Sequence, residues 1–321
     1  MHKATSYKAK QFFFVLIKLS LVLGAFYFIY YKLTQNEDLD LNLFLDILIT
    51  SKQFSLENIA FLVLLSSVNW VLEIKKWEIL VGGLSKINFN KASQQTLGAL
   101  TASLLTPNRI GDYGAKALYY HPEDRTKIIL LNLFGNTMQM IVTLVFGSIG
   151  FLILAKDYEL PINLEYLLNI VLAVIVGLII LYRVSTHNFF KNSVIKLHQF
   201  VLVLKRLSTT IKRTILLLSV LRYLVFSFQF YFIIILFGVE ISYIEAMIFI
   251  STMYLLSSIL PSILVFDVVL KSSIAVYLFA LIDVDPLSIL STTTLMWILN
   301  FVLPSIVGSY FVLKFKPVKT R

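Results

Sequence analysis

The sequence predicts an all-α polytopic membrane protein with about six transmembrane helices and two re-entrant helical hairpins. Hydrophobic residues make up 58% of the 321 residues and charged residues only 14%, whereas a soluble domain carries about 25% charged residues. The apolar residues form long runs, and most of the basic residues lie between these runs. This composition excludes a soluble enzyme, and the absence of cysteine excludes disulfides and thiol chemistry.

Six apolar segments approach or exceed the length of about 20 residues that a transmembrane helix requires. They are Phe12–Tyr31, Leu56–Leu72, Ile128–Ala155, Leu164–Tyr182, Thr214–Phe237 and Leu287–Leu313. The first segment follows a basic start, as in a signal peptide, but its apolar run is too long and no small-residue cleavage site follows it. We therefore expect it to remain as an uncleaved anchor.

Two further apolar stretches, 92–120 and 243–282, are each interrupted by a proline, Pro107 and Pro261. Non-helical backbone persists at membrane depth only where protein or a wet cavity surrounds it. Each stretch is therefore predicted to be a helix–break–helix hairpin inside the bundle. Hairpins that enter from opposite sides would form an inverted repeat, an arrangement found in transporters.

The distribution of charge predicts the orientation of the chain. With both hairpins re-entrant and both termini in the cytoplasm, most of the 28 basic residues fall on the cytoplasmic side and the acidic loops fall outside. This is the pattern of the positive-inside rule. The formal net charge of +10 is accordingly interpreted as a loop bias of a multi-pass protein in the cell (inner) membrane, not as a nucleic-acid-binding surface.

The segment 188–213 has apolar residues at a helical period and a basic opposite face. The basic face comprises Lys191, Lys205, Arg206, Lys212 and Arg213. Such a helix lies in the membrane interface and favours anionic lipid, although an ordinary cytoplasmic linker helix fits the pattern equally well. The segment divides one integral membrane domain, 1–321, into halves at 1–185 and 214–321.

The two proline breaks predict a site, because each is followed by the same pair of charges. Asp112 and Lys116 follow Pro107, and Asp267 and Lys271 follow Pro261, with Asp and Lys four residues apart in both pairs. That spacing places both charges on one helix face. Charges inside a membrane cost about 2.5–3.5 kcal/mol on insertion scales and commonly mark function. The alternative is that each pair only caps and neutralises a hairpin helix.

Other residues extend or limit this predicted site. Arg109 is an additional cation of the first hairpin, and Arg222 lies inside a predicted span, where it would snorkel or face the same cavity. Gly111 and Gly114 would allow close backbone approach. Charged and aromatic residues at the end of the second span are interpreted mostly as interface anchors: Glu73, Lys75, Lys76, Trp77 and Glu78. The four histidines show no ligand spacing, so no metal, no cofactor and no catalytic residue is predicted.

The first break resembles a signature of the lysylphosphatidylglycerol synthase transmembrane-region family, also called flippase-like integral membrane proteins. The residues that carry the resemblance are Thr106-Pro107-Asn108-Arg109-Ile110-Gly111-Asp112 with Lys116, Lys76-Trp77, Leu218-Ser219-Val220-Leu221-Arg222-Tyr223, and the run Trp297, Asn300, Leu303-Pro304 and Gly308. Asp112 and Asp267 stand where the family usually has Glu. The glycines usual in the second hairpin are replaced by Ile263-Leu264-Val265-Phe266.

The resemblance implies a protein that moves a lipid or a lipid-linked headgroup between leaflets. Family enzymes carry an additional soluble transferase domain, and only a short tail follows the last predicted span here, so we expect a translocase without synthetic activity. Anionic headgroups of membrane lipids are the expected ligands. The alternative is a non-transporting membrane partner of an enzyme of envelope lipid or polysaccharide synthesis.

Overall fold

A computed structural model describes residues 53–104, 106, 110–158, 200, 202–259, 266–316 and 318, and short pieces between 16 and 30; the side chains of 266–270 are outside the description. Every regular element in this part of the chain is helical. The helices are α1 (Leu56–Gly82), α2 (Phe89–Ser103), α3 (Gly111–Ala117), α4 (Pro122–Asp157), α5 (Thr209–Leu236), α6 (Tyr243–Ile259), α7 (Phe266–Ala280), α8 (Pro286–Trp297) and α9 (Leu303–Lys314).

Four helices are long and apolar enough to cross a membrane: α1, α4, α5 and the combined rod Pro286–Lys314. They correspond to four of the six predicted spans, which are confirmed as apolar helices of sufficient length. Of the other two predicted spans, Leu164–Tyr182 lies outside the described residues, and Phe12–Tyr31 is described only in short helical pieces, the longest at 16–20. Helix α1 continues past its predicted end at Leu72 to Gly82, and this extension brings more charged residues into the bundle.

The first predicted hairpin consists of α2 and the short helix α3. Its two ends lie at the same end of the bundle: the Lys75 ammonium is 5.2 Å from the Phe89 ring at the start of α2, and the Tyr119 ring after α3 is 4.6 Å from the Phe315 ring. The Tyr119 hydroxyl also donates to the Gln94 carbonyl in α2. The two arms therefore run side by side, although α3 has only seven residues.

The second hairpin, α6 and α7, opens at the opposite end of α4. The Phe249 ring of α6 lies 5.3 Å from the Phe279 ring of α7 and 5.5 Å from Tyr158, just after α4 ends. The first hairpin instead meets the other end of α4, where the Arg125 side chain donates to the Tyr120 carbonyl. Because the 36 residues of α4 extend over about 54 Å, the hairpins open toward opposite ends of the bundle.

The rod from α8 to α9 contains a π-helical turn, Ile298–Val302. In this turn the Leu303 amide bonds to the Ile298 carbonyl, so the Leu299 carbonyl loses its usual partner. Pro304 has no N–H to donate to the Asn300 carbonyl. Helix α1 satisfies both oxygens, since Ser66 Oγ donates to Leu299 O at 2.5 Å and Trp70 Nε1 donates to Asn300 O at 3.1 Å.

Close contact between α9 and α2 depends on a glycine. A Cβ atom at Gly308 would overlap the Leu97 carbonyl oxygen and the Thr101 hydroxyl. With hydrogen there instead, Thr101 Oγ1 also donates to the Ser305 carbonyl at 2.9 Å. Small residues at such crossings are the usual means by which membrane helices approach one another.

The predicted interfacial helix 188–213 ends earlier than expected. Residues 202–206 are helical, but Ser208 then caps a new helix by accepting from the Ile211 amide at 3.2 Å. Lys212 and Arg213 therefore belong to the first turn of α5, which corrects the predicted boundary. The apolar residues keep their helical period across the junction, so the sequence pattern gave no sign of the N-cap at Ser208. The part of the segment before residue 200, including Lys191, lies outside the described residues.

Candidate functional site

A polar cavity of about 330 Å³ lies inside the bundle, where α1 to α6 meet. It contains two acids and two bases, and most of its other polar lining is amide or hydroxyl. Its lining residues are Trp70, Glu73, Thr96, Leu100, Ser103, Asp112, Tyr113, Lys116, Asn136, Gln139, Met140, Thr143, Arg222 and Ser258. Three residues predicted from sequence, Asp112, Lys116 and Arg222, are thus brought together.

Asp112 and Lys116 form the expected pair on α3. Lys116 Nζ lies 3.2 Å from Asp112 Oδ2, and the Lys116 side chain is only 2% exposed. Asn132 of α4 completes a triangle, because its Nδ2 donates to Asp112 Oδ2 at 2.6 Å and its Oδ1 accepts from Lys116 Nζ at 2.9 Å. The ammonium also lies 4.7 Å from the Trp77 ring, a favourable cation–π contact. Lys116 therefore has a fixed position.

The break before α3 is held by Thr106. Its hydroxyl accepts from the Gly111 amide at 2.9 Å and donates to the Ser103 carbonyl at 2.8 Å, which links the two arms of the hairpin. A Cβ at Gly111 would lie 2.9 Å from the Thr106 side chain, so this glycine permits the link. Gly114 was also expected to allow a close backbone approach, but no described atom lies within 4 Å of a Cβ built at this position.

A second charge cluster faces the cavity from α1 and α5. One carboxylate oxygen, Glu73 Oε2, lies 2.7 Å from Arg222 Nη1 and 2.6 Å from Lys76 Nζ. Glu73, Lys76 and Trp77 are 7%, 2% and 1% exposed, so their interpretation as interface anchors is wrong. Lys75 and Glu78 do form an exposed pair. The difference arises because α1 continues to Gly82 and buries one of its faces.

Two groups in the cavity retain unused hydrogen-bonding capacity. Arg222 uses Nε toward Asn69 and Nη1 toward Glu73, and no hydrogen bond joins its Nη2 to a described residue. Asp112 uses Oδ2 twice, and its Oδ1 likewise has no donor among the described residues. A guanidinium edge and a carboxylate oxygen suit a phosphate and an ammonium or proton, respectively.

Lys271 lies elsewhere. It lines a separate cavity of about 120 Å³ with Phe226, Phe230, Met253, Tyr254, Thr293, Met296, Trp297 and Phe301. The backbone of Asp267 lies in the first turn of α7, but its side chain is not described. Arg109, Pro107 and Pro261 lie outside the described residues. The cavities lie near each other along α5, because Arg222 lines one and Phe226, one turn later, lines the other.

The sequence reasoning did not identify Glu73 and Gln139 as cavity residues, or Asn132 as the partner of Asp112 and Lys116. A signal for Glu73 was present: Asn69, Glu73 and Lys76 recur at helical spacing within an apolar segment. For Asn132 and Gln139 the signal was weaker, since both are uncharged residues in a long apolar run. In the described part of the chain, no group of three His, Asp or Glu residues could hold a metal ion.

Residues 15–308 match a family model described as the lysylphosphatidylglycerol synthase TM region. Comparison with curated proteins and with solved structures gave no match. The matched range includes all residues of the polar cavity and both hairpins.

Proposed function

Because the chain belongs to the lysylphosphatidylglycerol synthase transmembrane-region family, we propose that it moves a lipid or lipid-linked headgroup between the leaflets of the cell membrane. The family identifies a multi-pass membrane protein related to lipid modification or translocation. It is named for a transmembrane region that is often separate from the catalytic domain. We therefore propose that this chain translocates the lipid and does not itself synthesise the headgroup.

The polar cavity is the observation that carries this proposal. Three of the four candidate spans, α1, α4 and α5, line it. Elements of both hairpins also reach it: Ser103 and Asp112 flank the break of the first, and Ser258 lies at the end of α6. Interrupted segments that meet at a charged cavity are the usual form of a transporter binding site. A headgroup crossing the membrane needs polar partners there, since an unpartnered charge in lipid costs several kcal/mol.

Arg222 is the principal ligand for an anionic headgroup in this mechanism. Its Nη2 edge is available to a phosphate, while its other edge is held by Asn69 and Glu73. Asp112 balances charge, or binds a proton or amine, through Oδ1. Lys116 maintains a positive field from its fixed position beside Asp112. Arg109, Asp267 and Lys271 remain candidate ligands predicted from the sequence. Movement of the hairpins would open the cavity first to one leaflet and then to the other. The proposed topology has both termini in the cytoplasm.

The test is movement of an anionic lipid with a fluorescent headgroup, phosphatidylglycerol, in proteoliposomes. Asp112→Asn and Arg222→Gln should each abolish most movement in protein that elutes as a folded species. Lys75→Gln is the matched control, because Lys75 belongs to an exposed pair on the same helix as Glu73. Full movement by folded Asp112→Asn and Arg222→Gln proteins would remove the cavity from the mechanism.

The assay also separates transport from the alternative role. If the wild-type protein moves none of the labelled lipids offered but retains an envelope-synthesis enzyme through purification, a non-transporting partner is supported. In that outcome the cavity would serve an interaction or a structural purpose, and substitution of Asp112 should release the enzyme.

A further inference from the structure

A chain of buried side-chain amides connects the π-helical turn to Arg222. Gln229 Nε2 donates to the Leu62 carbonyl at 2.9 Å, and Asn300 Nδ2 donates to Gln229 Oε1 at 2.8 Å. Asn69 Nδ2 then donates to Asn300 Oδ1 at 2.9 Å, and Arg222 Nε donates to Asn69 Oδ1 at 2.9 Å. Gln229, Asn69 and Asn300 are 0%, 1% and 2% exposed, so water does not replace these partners.

The direction of every bond in this chain is determined from one end. A backbone carbonyl such as Leu62 O can only accept, so Gln229 must present its NH₂ group there and its oxygen to Asn300. Asn300 must then present its NH₂ group to Gln229 and its oxygen to Asn69. Asn69 is left with its oxygen toward Arg222. A rotation of one amide by 180° would place two donors or two acceptors face to face.

The π-helical turn places Asn300 in this chain. Ser66 and Trp70 of α1 hold the two carbonyl oxygens that the turn and Pro304 leave free. Both donors lie on the same helix as Asn69, within about one turn of it. The backbone around Asn300 is therefore tied to α1 at the same level as the amide chain.

We propose that Asn300, Gln229 and Asn69 are positioning residues for Arg222, which orient its guanidinium so that the Nη2 edge faces the cavity. The orientation of Arg222 does not depend on what the protein transports, whereas its importance for headgroup binding rests on the proposed function. Without the chain, Asn69 can rotate and the Nε–H group loses its acceptor. The guanidinium would then keep its ion pair with Glu73 but lose its fixed plane.

The direct test is solvent exchange of the arginine Nε–H groups, measured by nitrogen-15 NMR on the full chain in nanodiscs. Asn300→Leu should accelerate exchange at Arg222 about tenfold, the effect of losing one hydrogen bond of ordinary strength. Arg125 is the internal reference, since its Nε–H bonds to the Tyr120 carbonyl at 3.3 Å, outside the chain. Ser309→Ala is the matched control, because it removes a buried hydroxyl bond to the Ser305 carbonyl on α9, outside the amide chain.

Asn300→Asp provides a rescue test with the same shape of side chain. A protonated carboxyl group can accept from Asn69 and donate to Gln229, whereas an ionised one can only accept. The ratio of Arg222 to Arg125 exchange should therefore stay near the wild-type value at low pH and rise at high pH. The wild-type ratio should not change with pH.

The outcomes separate this inference from the function. An unchanged exchange ratio in folded Asn300→Leu protein, or in Asn300→Asp protein at high pH, overturns the positioning role. If Asn300→Leu does not fold, the pH dependence of Asn300→Asp decides the question. A changed ratio in a protein that moves no labelled phosphatidylglycerol supports the positioning role and removes support from translocation.

Discussion

Replacement of Glu73 by Gln should destabilise the protein severely. Among the described residues, Glu73 is the acid that contacts both the buried Lys76 and the partly buried Arg222, since its Oε2 atom lies 2.6 Å from Lys76 Nζ and 2.7 Å from Arg222 Nη1. The Lys76 side chain is 3% exposed and the Arg222 side chain 23% exposed. Removal of the carboxylate leaves two positive charges facing each other, and one of them, Lys76, is almost completely buried.

The expected loss follows from the burial of the pair. Breaking a buried ion pair by removing one partner costs about 3–5 kcal/mol, because the remaining charge is uncompensated. The exposed pair Lys75–Glu78, with side chains 48% and 21% exposed, has the same three-residue spacing on the same helix. An exposed pair contributes about 0–1 kcal/mol. Glu78→Gln is therefore the matched control.

The assay is the midpoint of thermal unfolding, with folded yield from size-exclusion chromatography, for single and double variants in one detergent. Glu73→Gln should lower the midpoint far more than Glu78→Gln, and the added change Lys76→Met should recover much of the loss. Recovery is expected because the double variant no longer contains the unpaired ammonium. Equal midpoints for Glu73→Gln and Glu78→Gln would refute the argument that burial makes this carboxylate essential.

Two further predictions concern packing and topology. Gly308→Ala should greatly reduce folded yield because its Cβ would overlap the Leu97 carbonyl. Gly114→Ala should leave the folded yield unchanged, because no described atom lies within 4 Å of its Cβ. Equal yields for the two variants would show that α2 and α9 separate readily. Single cysteines introduced into this cysteine-free chain should react with a membrane-impermeant reagent from outside at Lys156→Cys and only from the cytoplasm at Ser85→Cys. Reaction of Lys156→Cys from the cytoplasm alone would show that the topology is the reverse of the predicted one.

Most of the helical organisation could be predicted from sequence. Apolar length identified α1, α4, α5 and the α8–α9 rod, because a helix that crosses lipid needs about 20 apolar residues in succession. Prolines near the middle of apolar stretches predicted two divided stretches, and the structure has separate helices on either side of each, although residues 260–265 lie outside the description. The spacing of Asp112 and Lys116 predicted their pairing, since residues four apart share a helix face. Each of these inferences uses only residues that lie close to one another in the sequence.

Errors arose at boundaries and at buried faces. The end of α1 was placed at Leu72 because charged residues follow, yet those residues pair with one another and with Arg222 inside the bundle. The start of α5 was missed because Ser208 caps it within a continuous apolar period. The π-helical turn gave no recognisable pattern beyond Pro304.

The sequence by itself determined that this chain is a helical membrane protein with a local Asp112–Lys116 pair, and it predicted two interrupted apolar stretches. Tertiary structure alone decided which distant groups meet. Glu73 and Arg222 are 149 residues apart, and Asn69 and Asn300 are 231 apart. No period relates such positions, so their contacts follow only from the packing of α1 against α5 and the π-helical turn. The cavity exists because these helices bury polar side chains together, and most of its charged groups are paired there because unpaired charges away from water are costly.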